Sequence, residues 1–586
     1  MAAAAISTQT LAIINQSAPG GRADRPWFAS YPPGVPHDIQ LPVTETLNDI
    51  FESSVRTYAS RPVLDSFGVK LTYAETGRSA HAVAAWLQAR GLKPGDRVAI
   101  MMPNIAAYFP AVFGILKAGC IVVNINPLYT ASELHHQLKD SGTRAIFVLA
   151  QVEHTVKEAM VGTDLQTVVR VQLGDLIGWK GLLVTYIGGR KSPVSADGRI
   201  AGAVSFATVI ARGRKLPATP VLVKPGDIAF LQYTGGTTGV AKGASLRHSN
   251  LVANVRQIAA WFSQAHGSGG FPLITIAPLP LYHIYALTVC CLYVVLHGGT
   301  AILVANPRDT RSFINTLKSN RFTMFAGLNT LYNSLADHPD IRSVDFSNLQ
   351  VATSGGMATQ RAVAERWQKI SGHPVIEGYG LSETSPMISL NRPDITEFTG
   401  TVGYPWPSTD VSLRDPATGI EVPAGSIGEI CVKGPQVMAG YWNRPDETAK
   451  AMTADGYFRT GDLALLLPDG QIKIVDRLKE MIIVSGFNVY PNEIEDVLVR
   501  HPKVKEAAVI GLPDTHSGEA VCAYVVKRDD SLTADELKAF AAKELTKYKC
   551  PKLISFRTEL PKSNVGKVLR RVLRDEVMAT NAKTST

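Results

Sequence analysis

The chain has 586 residues, a formal net charge of +9, 45% hydrophobic and 19% charged residues. Such a length and balance exclude a disordered or fibrous chain and allow a large buried core. Its cysteines, Cys120, Cys290, Cys291, Cys431, Cys522 and Cys550, form no CxxC pair, which speaks against a zinc site, a dithiol redox site or a disulfide framework and for a reducing cytoplasm.

Met1 to Arg25 is rich in Ala, Ser, Gln and Gly and lacks a basic lead, so it reads as a frayed tail rather than a signal peptide. From about residue 45 onward, apolar runs alternate with helical periodicity. Arg97 to Met102 reads as a buried strand ending at Pro103-Asn104, and Ala106 to Ala118 as a helix ending at Gly119. Ile121 to Ile125 is a strand, Ala131 to Leu138 a helix and Ala145 to Leu149 the next strand. This βαβα rhythm predicts an α/β fold with parallel sheets covered by helices.

Residues 171–220 break the rhythm. Leu173 to Ile187 is apolar and aromatic, and Arg190, Lys191, Arg199, Arg212, Arg214 and Lys215 follow. An apolar face beside cations suits an anionic membrane surface; a surface excursion packed on the domain is the alternative. Phe271 to Gly298 is apolar but interrupted by Pro278, Pro280, His283 and His297, so no transmembrane helix is predicted. Residues 395–470 are dense in Gly and Pro, and Val411 to Leu413, Glu429 to Lys433 and Gln471 to Val475 predict strands of a β-rich subdomain. Beyond Asp476 come helices over Glu493 to Arg500 and Ala534 to Glu544, and strands over Glu506 to Ile510 and Ala520 to Val526. The predicted organisation is a lead-in at 1–44, a large domain at 45–477 and a small α+β domain at 478–586, with the boundary near Leu478 and Lys479. No long Lys/Arg run suggests nucleic acid; the positive balance suits a solvated basic surface or attraction for anions.

Five segments carry chemistry. Tyr233 to Gly243 is a turn after the apolar run Ile228 to Leu231, with Thr234, Gly235, Gly236, Thr237, Thr238, Gly239 and Lys242. Its glycines let backbone N–H groups approach phosphate oxygens, and its hydroxyls and lysine add donors and positive charge. The spacing is not that of a Walker A loop. Ser354-Gly355-Gly356-Met357 and Glu377-Gly378-Tyr379-Gly380-Leu381-Ser382-Glu383-Thr384 form the second segment, where an aromatic between glycines suits a base and a carboxylate suits Mg²⁺. Tyr457 to Asp462 holds a carboxylate in a tight turn, suited to a ribose diol. Asp476 to Glu480 is a charged, hinge-like segment followed by Ser485-Gly486-Phe487. Pro561 to Arg570 presents Lys567 on a glycine-bearing loop that can neutralise phosphate charge. Each alone also reads as an ordinary solvated turn or tail.

In this order, the segments resemble the adenylate-forming superfamily of acyl-CoA synthetases, adenylation domains and luciferases, from about residue 45 to Arg571. Pro26-Trp27, Tyr31 to Pro36, Pro278 to His283, Gly178 to Leu183 and Lys433 to Trp442 look like the bacterial long-chain fatty-acid–CoA ligases. The resemblance implies that Thr234 to Lys242 cradles the β- and γ-phosphates of ATP. Gly355, Gly356 and Glu377 to Gly380 would line the adenine pocket, with Tyr379 stacked on the base. Glu383 would bind Mg²⁺, and Asp462 and Arg477 would hold the ribose and a phosphate. Thr384 and Lys479 would add nucleotide contacts, and Gly486 would line the coenzyme A tunnel. His283 would border the acyl site, and Lys567 would bridge the carboxylate and the α-phosphate. The small domain would turn about Leu478–Lys479 to exchange Lys567 for the CoA-facing surface. The implied partners are a fatty acid, ATP and CoA, with room for a homodimer and for a cytoplasmic protein bound at the inner membrane face. Ser382 stands where many relatives carry Thr; both supply a hydroxyl. A medium-chain or aromatic acid, a carrier-protein acceptor and a silent nucleotide binder stand as alternatives.

Overall fold

The computed structural model describes residues 25–191, 198–234, 241–263, 272–563 and 566–584. Two large sheets form the N-terminal part. In the nine-stranded sheet, Val351–Ser354 lies between Met324–Gly327 and Val375–Gly380, all parallel. The seven-stranded sheet centres on Arg97–Met101, Ile121–Asn124 and Ile228–Thr234, also parallel. Strands such as Ile121–Asn124 are buried along their whole length, which is why they read as continuous apolar runs rather than alternating ones.

Helices between the strands start at defined caps. Thr46, Thr72 and Thr130 each accept the N–H of an acidic residue three positions on, and that residue's carboxylate accepts the cap N–H in return. The helix Ala131–Ser141 stops at Gly142, whose φ of 60° is the left-handed conformation glycine takes without strain. The predicted elements from Arg97 to Leu149 appear in order, with ends displaced by a few residues.

The stretch from Pro272 to Gly298 holds the strand Ile274–Ala277 and a buried helical run from Ile284 to His297, with a π-helical turn over Leu287–Leu292. No helix among the described residues is long and apolar enough to cross a membrane. The irregular region resolves into two kinds of structure. Val204–Ser205 pairs with Thr167–Val171 and closes the edge of the seven-stranded sheet, so it belongs to the main fold. Gly178–Lys191 is a helix with much of its apolar surface in solvent.

The β-rich part is a four-stranded antiparallel sheet of Asp410–Arg414, Gly428–Lys433, Phe458–Leu466 and Ile472–Arg477. Beyond it lies a five-stranded sheet drawn wholly from residues after Arg477. This C-terminal unit has its own apolar core of Ile482, Ile494, Leu498, Val509, Ala523 and Leu537. The strand read as Glu506 to Ile510 runs from Val504 to Asp514. The carboxyl ends of Ile228–Thr234, Val351–Ser354 and Val375–Gly380 all open into chemistry-bearing segments, the end of a parallel sheet where ligands bind.

Candidate active site

A cavity of about 510 Å³ lies where the C-terminal unit meets the N-terminal part. Gly356, Tyr379, Asp462, Arg477, Lys567 and Arg570 are on its wall. Four of the five chemistry-bearing segments thus meet at one place, while no described residue of Tyr233 to Gly243 is on this wall.

At its centre the Tyr379 hydroxyl donates to Asp462 Oδ2 at 2.7 Å, and Arg477 Nε lies 3.2 Å from Asp462 Oδ1. Burial and the adjacent Asp462 carboxylate push the Tyr379 hydroxyl well above its ordinary pKa. Burial works against the Arg477 charge, but Asp462 and Glu480 more than offset it, so the guanidinium stays protonated. Gly356 has φ +81°, with only Leu328 near where a side chain would start. Gly378 and Gly380 serve the backbone: a Cβ on Gly380 would collide with the Pro386 carbonyl, and one on Gly378 would sit 2.6 Å from Leu390. The Gly355 backbone lies against the Tyr285 ring.

Glu377 lines the same cavity but faces inward, where Oε1 accepts the Thr359 N–H at 2.7 Å. Burial raises its pKa to about 8. Its carboxyl fixes the Gly355–Thr359 turn. Glu383 is buried, and its Oε1 accepts the Tyr441 hydroxyl at 2.8 Å. Burial raises the Glu383 pKa, and the Tyr441 bond works the other way. Thr384 is wholly buried, and its hydroxyl is engaged with Leu381 and the Pro386 carbonyl inside the turn.

The glycine-rich hairpin joins Ile228–Thr234 to Lys242–Arg247. Gly235, Gly236, Thr237, Thr238 and Gly239 lie outside the described residues. At its base the Thr234 hydroxyl donates to the Lys242 carbonyl at 3.5 Å. The Lys242 ammonium pairs with Glu447 and lies 5.1 Å from the centre of the Tyr441 ring.

His283 caps the short helix Ile284–Ala286, its Nδ1 accepting the Tyr285 N–H at 3.3 Å. Burial and nearby Lys567 lower its pKa to about 4, so the ring is neutral with its proton on Nε2. Lys567 belongs to a tight hairpin. Ser563 N–H donates to the Lys567 carbonyl at 2.7 Å, and Lys567 N–H donates to Ser563 Oγ at 3.1 Å. Gly566, at φ +86°, sits so close to Thr330 that a Cβ would lie 2.6 Å from its hydroxyl. That contact seats the hairpin on the N-terminal part. Burial, then Arg477, lower the Lys567 pKa to about 8.

Gly486 and Lys479 are not on the cavity wall, nor are Thr234, Lys242, His283, Gly355, Glu383 and Thr384. Gly486 turns the hairpin between Ile482–Val484 and Phe487–Val489 at an exposed position. Lys479 is exposed on the turn after Ile472–Arg477.

Sequence reading missed Arg570, though it ends the segment that carries Lys567. Its guanidinium bonds Glu495 at 2.9 and 2.7 Å and Asn492 Oδ1 at 2.6 Å, and pairs with Glu480. Asp476 lies 3.8 Å away and accepts the Asn492 N–H at 2.8 Å. Burial pushes the Asp476 pKa up to about 6. Three nearby carboxylates on one cation are the signal that the sequence could have given only through the acidic spacing Asp476, Glu480 and Glu495.

Residues 51–442 match the AMP-binding enzyme family, and residues 493–567 match the AMP-binding enzyme C-terminal domain. A long-chain-fatty-acid–CoA ligase of Escherichia coli O6:H1 is 47% identical over 552 residues, covering 94% of this chain and 98% of that protein. A long-chain-fatty-acid–CoA ligase of Bacillus subtilis is 37% identical over 560 residues, covering 95% of this chain and 98% of its own. Among solved structures, ATP-bound MatB from Rhodopseudomonas palustris superposes with a TM-score of 0.78 at 28% identity, over 91% of this chain and 99% of that one.

Removing Arg570 leaves Glu480, Glu495 and Asp476 facing one another with little solvent. Arg570→Ala is expected to lower unfolding stability by about 3–5 kcal/mol in urea titrations at neutral pH. Without the cation, mutual repulsion raises the folded-state carboxylate pKa values above their unfolded ones, so charging the acids destabilises the fold. Lowering the pH toward 5 should therefore recover part of the loss in the variant, and a loss independent of pH would contradict this electrostatic account.

Proposed function

The chain belongs to the AMP-binding enzyme family, and on that premise we propose that it ligates a long-chain fatty acid to coenzyme A through an acyl-adenylate. In the first step a fatty carboxylate oxygen attacks the α-phosphorus of ATP, and pyrophosphate leaves. In the second, the CoA thiolate attacks the acyl carbon and AMP leaves. The substrate carboxylate is itself the nucleophile, so the site needs charge stabilisation rather than a reactive side chain.

The observation that carries this reading is the delivery of Lys567 by a C-terminal hairpin into the cavity of Tyr379, Asp462 and Arg477. Tyr379 presents a ring to the base, and Asp462 exchanges its present partners for ribose hydroxyls. Lys567 offsets the charge gathered between the carboxylate and the α-phosphate. Thr234 and Lys242 hold the terminal phosphates. His283, neutral with a proton on Nε2, donates near the reacting carboxylate without adding a further cation.

Magnesium suits the donor set at Glu383. No group of three or more His, Cys, Asp and Glu among the described residues could hold a metal. A hard cation carried by one carboxylate together with phosphate oxygens and water needs no more than that. Bound there, it would supply positive charge to the phosphates. The Leu478–Lys479 turn is read as the hinge between residues 45–477 and 478–586. Gly486, exposed in this arrangement, would reach the CoA path after rotation.

AMP release by the purified protein with ATP, Mg²⁺ and CoA should rise from acetate toward palmitate and depend on CoA. Release that ignores CoA would instead favour a carrier-protein acceptor, and a maximum with a cinnamate would favour aromatic acids. Lys567→Ala should abolish acyl-adenylate formation but leave CoA transfer from supplied acyl-AMP intact. The active form is the ammonium, which is lost as pH rises through about 8 in the free protein. The kcat/KM for ATP, which reports the free enzyme, should therefore fall above about pH 8, and a profile flat to pH 10 would remove Lys567 from this role.

The helix Gly178–Lys191 is read as the membrane contact. Trp179 and Leu182 are 75% and 77% exposed, and Leu183, Tyr186 and Ile187 lie about half in solvent. Lys180 and Arg190 are exposed on the same helix, the pairing that suits an anionic lipid surface. Trp179→Ala with Leu182→Asp should weaken binding to phosphatidylglycerol vesicles at least tenfold, since each buried side chain is worth about 1.5–3 kcal/mol. Equal sedimentation of variant and wild type would end this reading.

A further inference from the structure

Tyr441 is placed where two separate parts of the phosphate end meet. Its hydroxyl donates to Glu383 Oε1 at 2.8 Å. The face of its ring lies 5.1 Å from the Lys242 ammonium, within the range in which a cation is drawn to an aromatic quadrupole. Its backbone is held as firmly as its side chain. Tyr441 N–H donates to Thr448 Oγ1 at 2.9 Å, and Tyr441 bridges to Ala244 in the strand that follows the glycine-rich hairpin. Trp442 N–H donates to the Gly243 carbonyl at 2.8 Å.

Glu383 also has its backbone fixed from this segment, since the Met438 N–H donates to the Glu383 carbonyl at 2.8 Å. On the far side, Lys242 pairs with Glu447, which also pairs with Lys450 at 3.1 Å. A chain of contacts therefore runs from Glu447 through Lys242 and Tyr441 to Glu383. It joins the base of the glycine-rich hairpin to the buried carboxylate without using a ligand.

We propose that Tyr441 is a positioning residue for the metal–phosphate end of the site, its hydroxyl aiming the Glu383 carboxylate while its ring seats the Lys242 ammonium. This rests on the reading above of Glu383 as a magnesium ligand and Lys242 as a phosphate contact. The physical logic is one of degrees of freedom. A carboxylate with one oxygen pinned by a phenol keeps its other oxygen in a fixed direction. A lysine has four rotatable bonds, and a ring face together with Glu447 restricts where its ammonium rests. Both groups hang from one rigid residue, so their separation is set before ATP arrives. A phenylalanine keeps the ring and loses only the hydroxyl, so the two contributions can be separated.

The test is isothermal titration of full-length protein with ATP, with and without saturating Mg²⁺, for wild type, Tyr441→Phe, Tyr441→Ala and Glu383→Gln. Wild type should bind ATP more tightly with Mg²⁺. Tyr441→Phe should lose on the order of tenfold of that gain while binding metal-free ATP as wild type does, the size expected of a hydrogen bond to a charged group. Tyr441→Ala should also weaken metal-free ATP binding, because Lys242 loses its seat. Thermal unfolding of each variant reports whether the fold is kept; Tyr441→Phe, which removes a single oxygen, decides the question if Tyr441→Ala unfolds. An unchanged Mg²⁺ gain in Tyr441→Phe, or an equal loss with and without Mg²⁺, overturns the proposal. If Glu383→Gln retains the full Mg²⁺ gain, the magnesium reading itself fails and takes the proposal with it. If Glu383→Gln loses the gain and Tyr441→Phe does not, only the role of Tyr441 fails.

Discussion

The site depends on holding three cations, Lys567, Arg477 and Arg570, around one cavity before any phosphate enters it. Two unit charges about 4 Å apart repel by roughly 4 kcal/mol at an effective dielectric near 20, so such a cluster collapses unless acids surround it. Here they do. Arg477 faces Asp462, and Arg570 is enclosed by Glu480, Glu495 and Asp476. The two arginines stay charged, while Lys567, with no carboxylate directly bonded to it among the described residues, has its pKa lowered to about 8. The lysine is the adjustable member of the set. In the reaction proposed above, a phosphate entering the cavity would find two charged guanidiniums and one ammonium.

The same constraint explains why the glycines fall where they do. Charged side chains reach a common cavity only if the backbone that carries them comes close to other backbone. Gly380 runs against the Pro386 carbonyl, and Gly566 rests against Thr330, with no room for a Cβ at either. Gly356 is different: its surroundings are open, and what it supplies is a positive φ. Gly380 thus serves close packing, Gly356 a turn and Gly566, at φ +86°, both, a division that composition alone does not reveal.

Much of this was legible in the sequence. Parallel strands buried on both faces announce themselves as apolar runs, and glycine-dense segments with hydroxyls and a lysine announce loops that meet anions. Tyr379, Asp462 and Lys567 stand out in such segments, the family resemblance adds Arg477, and the fold brings the four to one cavity. Orientation was not legible. Glu377 and Thr384 sit in the expected segment, yet the Glu377 carboxyl holds the Thr359 N–H and the Thr384 hydroxyl is spent within its own turn. Arg570 looks in sequence like any basic residue near a terminus; only tertiary contact gives it Glu495 and Glu480 as partners. Tyr441 was visible as part of a segment that resembled relatives, but its two contacts come from residues 58 positions before it and from the opposite strand of a distant hairpin. Residues 171–220 mixed an element of the main sheet with an exposed helix, and a strand of two residues, Val204–Ser205, is too short to show a period.

The seam between the two parts has a chemistry of its own. Among the described residues, none of the buried apolar clusters combines residues before Arg477 with residues after it. Polar contacts that cross include Asp476 to the Asn492 N–H at 2.8 Å and Arg528 to Asp337 at 2.9 Å, while Gly566 packs closely on Thr330 and Leu328. Water can replace each of those hydrogen bonds at little net cost, whereas separating an apolar interface would expose surface worth about 25 cal/mol per Å². A polar seam beside a short charged turn is what a rotation about Leu478–Lys479 requires. Arg570 is bonded to Glu480, Glu495 and Asn492, which would move with it, and only its 3.8 Å approach to Asp476 crosses the turn. In the rotation proposed above, the strong part of the network would travel as one piece and leave the C-terminal unit intact.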